Sequence, residues 1–351
     1  MEKQISIIIP TYNMEAYIGK CLDSLLIPEF DQVEVLVVND GSRDRSSEIA
    51  HSYADRYPNS IRVIDKPNGN YGSCINTALP LATGRYVKIL DADDTFETAA
   101  FSRFVRRLPT LTDDAIITSF MTVDENGNIQ KVHEVNNDKV EENMTYSLED
   151  FCNLELFIHC QMHKLAYNRN IFINYHYHQT EGISYTDTEW AIMPFSKCET
   201  FRICDLKIYK YLVGRNGQTM DSHQILKNIS NFFKIAHRLC EIYELENEQV
   251  SKRFLLYRIA YFYEFIYFHL YRSWNSKTSA IFQKEDIILK EKCPDIYLLL
   301  NKSLLDQNVN FKIFSEIRKA NYSPGFKVPV VVRLKISMAY RFNRFLKFST
   351  K

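Results

Sequence analysis

The sequence predicts an α/β fold, a mainly parallel sheet flanked by helices and followed by a helical C-terminal region. Two observations predict the sheet. Short apolar runs at residues 5–9, 33–38, 61–64, 86–90 and 115–117 alternate with segments of helical spacing such as Ile18, Cys21, Leu22 and Leu25. Strands separated by helices pair in parallel and bury both faces. The early runs also end in turn or polar chemistry: Pro10-Thr11-Tyr12-Asn13, Asn39-Asp40-Gly41-Ser42 and Asp91-Ala92-Asp93-Asp94. Open α/β sheets bind ligands outside the carboxyl ends of their strands, so these segments should converge on one crevice. A third observation marks the helical region: residues 222–319 hold few glycines and carry Phe254, Tyr257, Tyr261, Phe265 and Phe268 at three-to-four spacing.

In chain order, the regular alternation ends near residue 120. Asp124-Glu125-Asn126-Gly127-Asn128 then reads as a turn between two extended segments. The division is therefore residues 1–220, with halves 1–120 and 121–220, then a helical unit 221–320 and a basic amphipathic tail 321–351.

Composition narrows the function. The 43 basic and 43 acidic side chains cancel, which disfavours a general nucleic-acid binder. Eight scattered cysteines include no Cys-x-x-Cys pair, which argues against a zinc ribbon or disulfide framework and fits a reducing cytoplasm. The first apolar run is too short, and ended too soon by Pro10, for a signal-peptide core. The longest apolar stretch, 254–270, contains Arg258, Glu264 and His269, so it reads as a buried helix and not a membrane span.

Four segments carry chemistry. Pro10-Thr11-Tyr12-Asn13 offers a stacking ring and hydrogen-bonding groups for a planar base, or else is a polar strand-to-helix turn. Asp40, delivered by the second strand before Gly41, can accept from a uracil imide or ribose hydroxyl; alternatively Asp40, Ser42 or Asp44 caps the following helix. Lys66 and the Gly/Asn-rich loop to Asn76 open a helix with amides suited to a nucleotide or sugar, without forming a P-loop. In Asp91-Ala92-Asp93-Asp94, three carboxylates within four residues repel one another, and Mg²⁺ or Mn²⁺ shared with substrate phosphates would relieve that repulsion; alternatively the segment is a solvated acidic turn.

In this order and spacing the four segments resemble family 2 glycosyltransferases of the Rossmann-like GT-A fold, over residues 5–120. The resemblance implies a metal-dependent, inverting, hexosyltransferase-type enzyme with a nucleotide-sugar half at 1–120 and an acceptor half at 121–220. It implies that Pro10, Thr11, Tyr12, Asn13, Asp40, Lys66 and Asn76 line the nucleotide-sugar pocket, with Asp91 and Ala92 facing the nucleoside. Asp93, with help from Asp91, would bind a divalent cation, Mn²⁺ or Mg²⁺. The family carries an acidic pair just before a helix, whose second acid is the general base. In Ser184-Tyr185-Thr186-Asp187-Thr188-Glu189, Thr186 replaces the first acid and Asp187 matches the base. Thr186-x-x-Glu189 also reads as a capping box, with Glu189 as only the cap. Arg215, in a Gly-flanked loop after an apolar strand, is similar to the basic segment from which a cation approaches the diphosphate.

The histidines read as structural or acceptor contacts, with His176 and His178 alternating as on one face of a strand. The tail carries Arg333, Lys335, Arg341, Arg344 and Lys347 among apolar residues, as a segment lying on an anionic membrane would, or as a solvated basic tail would. The expected partners are a UDP-sugar donor and a glycan or lipid-linked glycan acceptor of bacterial surface polysaccharide synthesis. The expected place is the cytoplasm, at the inner face of the membrane if the tail binds there; a homo-oligomer is compatible with the sequence but not required by it. Two alternatives remain: a sugar-phosphate nucleotidyltransferase, disfavoured because no Gly-rich basic loop follows the first strand, and a degenerate nucleotide-sugar binding subunit, kept open by Thr186.

Overall fold

The computed structural model describes residues 2–135, 140–215, 222–301 and 313–327, in two compact units, Met1–Gln218 and Thr219–Lys351. Strands β1 (Ile5–Thr11), β2 (Val33–Asn39), β3 (Ile61–Asp65) and β4 (Tyr86–Ile89) form a wholly parallel half-sheet in the order β3-β2-β1-β4. β1, β2 and β4 are nearly continuous buried apolar runs because helices cover both faces. The crossovers carry α1 (Ile18–Asp23), α2 (Ser46–Arg56) and α3 (Asn70–Ala78).

Beyond β4 the sheet becomes mixed. It continues through β9 (Leu165–Asn168), β6 (Ala115–Val123) and β10 (Thr200–Leu212) to β5 (Thr95–Phe96), with β7 (Ile129–His133) on β6 and β8 (Thr145–Ser147) on β10. This half also carries the helices α4 (Thr98–Arg107), α5 (Leu148–Asn153), α6 (Arg169–Tyr175) and α7 (Asp187–Ile192). The β6–β7 hairpin turns where Asp124 accepts from the amides of Asn126 and Asn128 at 3.0 and 2.9 Å, with Gly127 at φ +81°.

One pairing positions the site. β9 runs antiparallel to β4, with Tyr86 opposite Asn168 and Val87 opposite Tyr167. Continuing that register carries the chain to His163 beside Asp91. Lys88, fully buried in β4, pins this approach by donating to the carbonyls of His163 (2.7 Å) and Leu165 (3.1 Å). Burial lowers its ammonium to about 7.

The second unit consists of helices among its described residues: α8 (Ser222–Lys227), α9 (Ile229–Leu245), α10 (Gln249–Arg272), α11 (Ser276–Lys292), α12 (Pro294–Leu299) and α13 (Ile313–Lys319). Of the stripe expected at Phe254, Tyr257, Tyr261, Phe265 and Phe268, Phe254 is fully buried and the other four are only half-buried. Ile259, Tyr263, Ile266, Tyr267 and Leu270 are among its fully buried residues, and Tyr267 packs 4.1 Å from Phe282. A helix apolar on nearly all sides gives periodicity no face to choose. Arg318, just before the tail, forks onto the buried Asp286 at 2.8 and 2.6 Å. The tail residues 328–351 lie outside the described residues, among which no helix is long and apolar enough to cross a membrane. All eight cysteines are buried and free.

Candidate functional site

The loops after β1 and β2 are stitched together at the carboxyl edge of the sheet. The amide of Asp40 donates to the Thr11 carbonyl (2.8 Å), that of Asn13 to Ser42 Oγ (3.0 Å), and that of Glu15 to Asp44 (3.0 Å). Pro10 and Thr11 are thus part of the wall, Thr11 buried, whereas Tyr12 stands 44% exposed at the rim as a free aromatic face. Asn13 takes the left-handed conformation that turns the chain away from the strand. The buried Asp40 accepts from Lys66 Nζ (2.7 Å) and from the amides of Gly69 and Asn70 (both 2.9 Å). These bonds fix Asp40 between Lys66 and the start of α3.

The acidic segment divides its labour. Asp91 Oδ1 accepts from Tyr71 Oη on α3 (2.8 Å), and its amide donates to Tyr209 Oη on β10 (3.1 Å). Burial, then the charge of Asp93, raises its carboxyl above the usual range, and Asp187 adds to the shift. Asp93 pairs with Arg215 Nε at 2.6 Å, so the predicted metal carboxylate and diphosphate cation meet here. Ala92 is buried between them in sequence. Asp94 accepts from Tyr209 Oη and from the Leu212 amide, both at 2.7 Å, which anchors the turn to β10. Burial and its two acidic neighbours raise it too.

The donor set fits a divalent cation. Asp91, Asp94 and His163 each offer a ligand atom, and these lie within 4.8 Å of one another. His163 is held neutral, lowered to about 3 by burial and by Lys88 and Lys164, so its imidazole remains a lone-pair donor across the physiological range. Asp94 already serves two internal donors, so Asp91 is the carboxylate of this trio freer to ligate. Carboxylate oxygens suit Mg²⁺ or Mn²⁺.

Asp187 opens α7, and burial pushes its carboxyl up to about 6. Its charge acts on Asp91, Tyr71 and Tyr211, so Asp187 and the carboxylates of the acidic segment share one crevice.

The family model described as "Glycosyl transferase family 2" matches residues 6–175, which contain the segments from Pro10 to Asp94 but neither Asp187 nor Arg215. The uncharacterized glycosyltransferase EpsJ of Bacillus subtilis (strain 168) is 30% identical over 229 residues, 62% of this chain and 66% of that protein. Residues 6–175 thus match glycosyltransferase family 2, and over that region the chain is similar to its members. An uncharacterized glycosyltransferase of Mycoplasma pneumoniae, the MG025 homolog, is 43% identical over 119 residues, 33% of this chain and 38% of that protein. The match thus spans less than two thirds of either curated relative. Residues 1–349 of S. aureus TarS, solved in complex with UDP-GlcNAc, share the GT-A fold at a TM-score of 0.57 and 20% identity, covering 74% of this chain and 72% of that one.

Within this family 2 frame, Asn76 stands apart from the other predicted pocket residues. Its amide serves the segment before α7: Nδ2 donates to the Gln179 carbonyl and to Glu181, and Oδ1 accepts from the Gln179 amide, all at 2.8 Å. His176 and His178 do not form a strand. His176 ends α6 in a left-handed cap, with φ 50°. The expected capping box is also absent, because Thr186 makes no side-chain cap and Glu189 reaches elsewhere. Sequence reasoning gave Tyr71 and Tyr209 no role and read His163, with the other histidines, as a structural or acceptor contact and not as a neighbour of the carboxylates. A tyrosine just before Gly-Ser gives no signal, and only the antiparallel register of β9 places His163.

Proposed function

We propose that the chain transfers a sugar with inversion from a UDP-sugar to a hydroxyl of a glycan or lipid-linked glycan, in building a bacterial surface polysaccharide. The observation that carries this reading is the single crevice that holds Asp91 and Asp93 at the end of β4 and Asp187 at the start of α7. UDP is the first donor to try because the TarS fold was solved with UDP-GlcNAc.

In this reading, Asp187 accepts the proton of the acceptor hydroxyl as its oxygen bonds to the anomeric carbon from the face opposite the nucleotide. The bond from that carbon to the diphosphate oxygen breaks, and its electron pair leaves with UDP. A carboxyl poised near 6 is ionised at neutral pH yet more basic than an ordinary aspartate. Tyr12 stacks on the base, Asp40 accepts from it, and Lys66 keeps Asp40 oriented. Asp91 and Asp93, with His163 beside Asp91, would hold a divalent cation, which would supply charge neutralisation at the diphosphate. Arg215, released from Asp93, approaches the same phosphates.

The test is release of UDP, GDP or TDP from a panel of their sugars, with Mn²⁺ or with EDTA. Metal-dependent release from a UDP-sugar is expected. No metal-dependent release or binding for any donor would sink the proposal.

A further inference from the structure

Glu189 lies in the first turn of α7, fully buried, where a carboxylate costs several kcal/mol unless strong donors meet it. Donors do meet it: Oε2 accepts from the Thr180 amide at 2.7 Å and Oε1 from Thr180 Oγ1 at 2.6 Å. Gln179, also fully buried, donates from Nε2 to the carbonyl and Oγ1 of Thr186, both at 2.9 Å, while Tyr177 Oη donates to its Oε1 at 3.0 Å. These bonds close the segment 179–186 onto the turn that begins with Asp187.

The far side of the segment is fastened to α3. Besides the Asn76 bonds, the Gly182 amide donates to the Gly69 carbonyl at 2.9 Å. Gly72 lets the two backbones touch, because a Cβ there would lie 2.0 Å from the Thr180 carbonyl oxygen. The neighbouring residue on α3 is Tyr71, which holds Asp91.

We propose that Glu189 is a positioning residue: through Thr180 it fixes the 179–186 segment between α3 and α7, and so sets Asp187 relative to Asp91. This rests on Asp187 being the base. Glu189 itself touches no substrate. Its hydrogen bonds to the Thr180 amide and hydroxyl supply the stiffness that a base needs to meet a proton within a fraction of an ångström.

The experiment measures UDP release from UDP-GlcNAc with Mn²⁺, water serving as acceptor, alongside the affinity for UDP and Mn²⁺ by calorimetry. Four variants are compared: Thr180→Val, Thr180→Ser, Glu189→Met and Glu189→Gln. Thr180→Val keeps volume and the backbone bond, so it tests the brace even if Glu189→Met does not fold. It should lower kcat about 10- to 100-fold, as displacement of about 1 Å does, with UDP affinity within about twofold. Thr180→Ser and Glu189→Gln should stay near wild type, since serine keeps the hydroxyl and glutamine can accept from the amide and donate to Oγ1. Thr180→Val with unchanged kcat, or with kcat and UDP affinity falling together, overturns the inference. Asp187→Asn separates the two readings: if it is inactive while Thr180→Val is silent, only the brace fails. If Asp187→Asn turns over normally, or the wild type releases no UDP, the base assignment fails as well.

Discussion

Replacing Gly72 by alanine should destabilise the first unit, although alanine is the better helix former by about 1 kcal/mol. A methyl group at Gly72 would meet the Thr180 carbonyl oxygen at 2.0 Å and its carbon at 2.8 Å, both backbone atoms that cannot rotate away. The 179–182 segment must therefore lift from α3. That breaks the two bonds between Asn76 and the Gln179 backbone and the bond from Gly182 to Gly69. At about 1 kcal/mol each, these are worth about 3 kcal/mol, and overpacking adds about 1–3 kcal/mol. Net of the propensity gain, the loss is about 3–5 kcal/mol. Gly19→Ala in α1 is the control, since a Cβ there meets only Tyr53 Oη at 3.8 Å; it should be neutral or stabilising by up to about 1 kcal/mol. The assay is urea unfolding followed by Trp190 fluorescence in a Trp274→Phe background, because Trp190 is the tryptophan of the first unit. Equal stability of the Gly72→Ala and Gly19→Ala variants would refute the tight docking of this segment on α3.

Three other outcomes are expected. Because burial raises Asp187 to about 6 and the base works ionised, kcat should fall as pH drops through 6, to about a tenth of its plateau at pH 5; a profile flat to pH 5 would remove Asp187 from the mechanism. Asp93→Ala should weaken UDP binding by at least about tenfold in Mn²⁺ and leave it unchanged in EDTA, because only the metal-dependent part uses that carboxylate; equal affinities in Mn²⁺ would contradict this. Deleting the residues after Phe326 should abolish salt-sensitive pelleting with anionic liposomes, whereas equal pelleting with and without them would exclude an electrostatic anchor.

The nucleotide half was legible because its signals are local. Apolar runs ending in Pro10, Asn39 and Leu90 mark buried parallel strands, and a parallel sheet brings all its carboxyl ends to one edge without further information. Residues 121–220 were less legible because their geometry comes from pairings distant in sequence. Nothing in Met162-His163-Lys164 announces that the next strand runs antiparallel beside β4. The hydrogen-bonding roles of Asn76 and Asp94 were hidden for the same reason. Each is a polar residue beside a motif, and only the fold shows that its partners are Gln179 and Tyr209.

Thr186 illustrates how a departure from a family pattern changes meaning once neighbours are known. By sequence it stands where the first of two acids is expected, which left open a chain without catalysis. In the fold it is wholly buried, and Gln179 Nε2 reaches its carbonyl and hydroxyl together, a pairing a neutral threonine accepts with no charge to desolvate. An ionised side chain at that position would share the first turn of α7 with the buried Glu189, and two carboxylates so placed raise each other's cost. The segment thus retains two acids, Asp187 facing the crevice and Glu189 facing Thr180. Under the proposed reading, the acid absent at 186 is matched by Glu189 three residues later, where its hydrogen bonds to Thr180 hold the base in place.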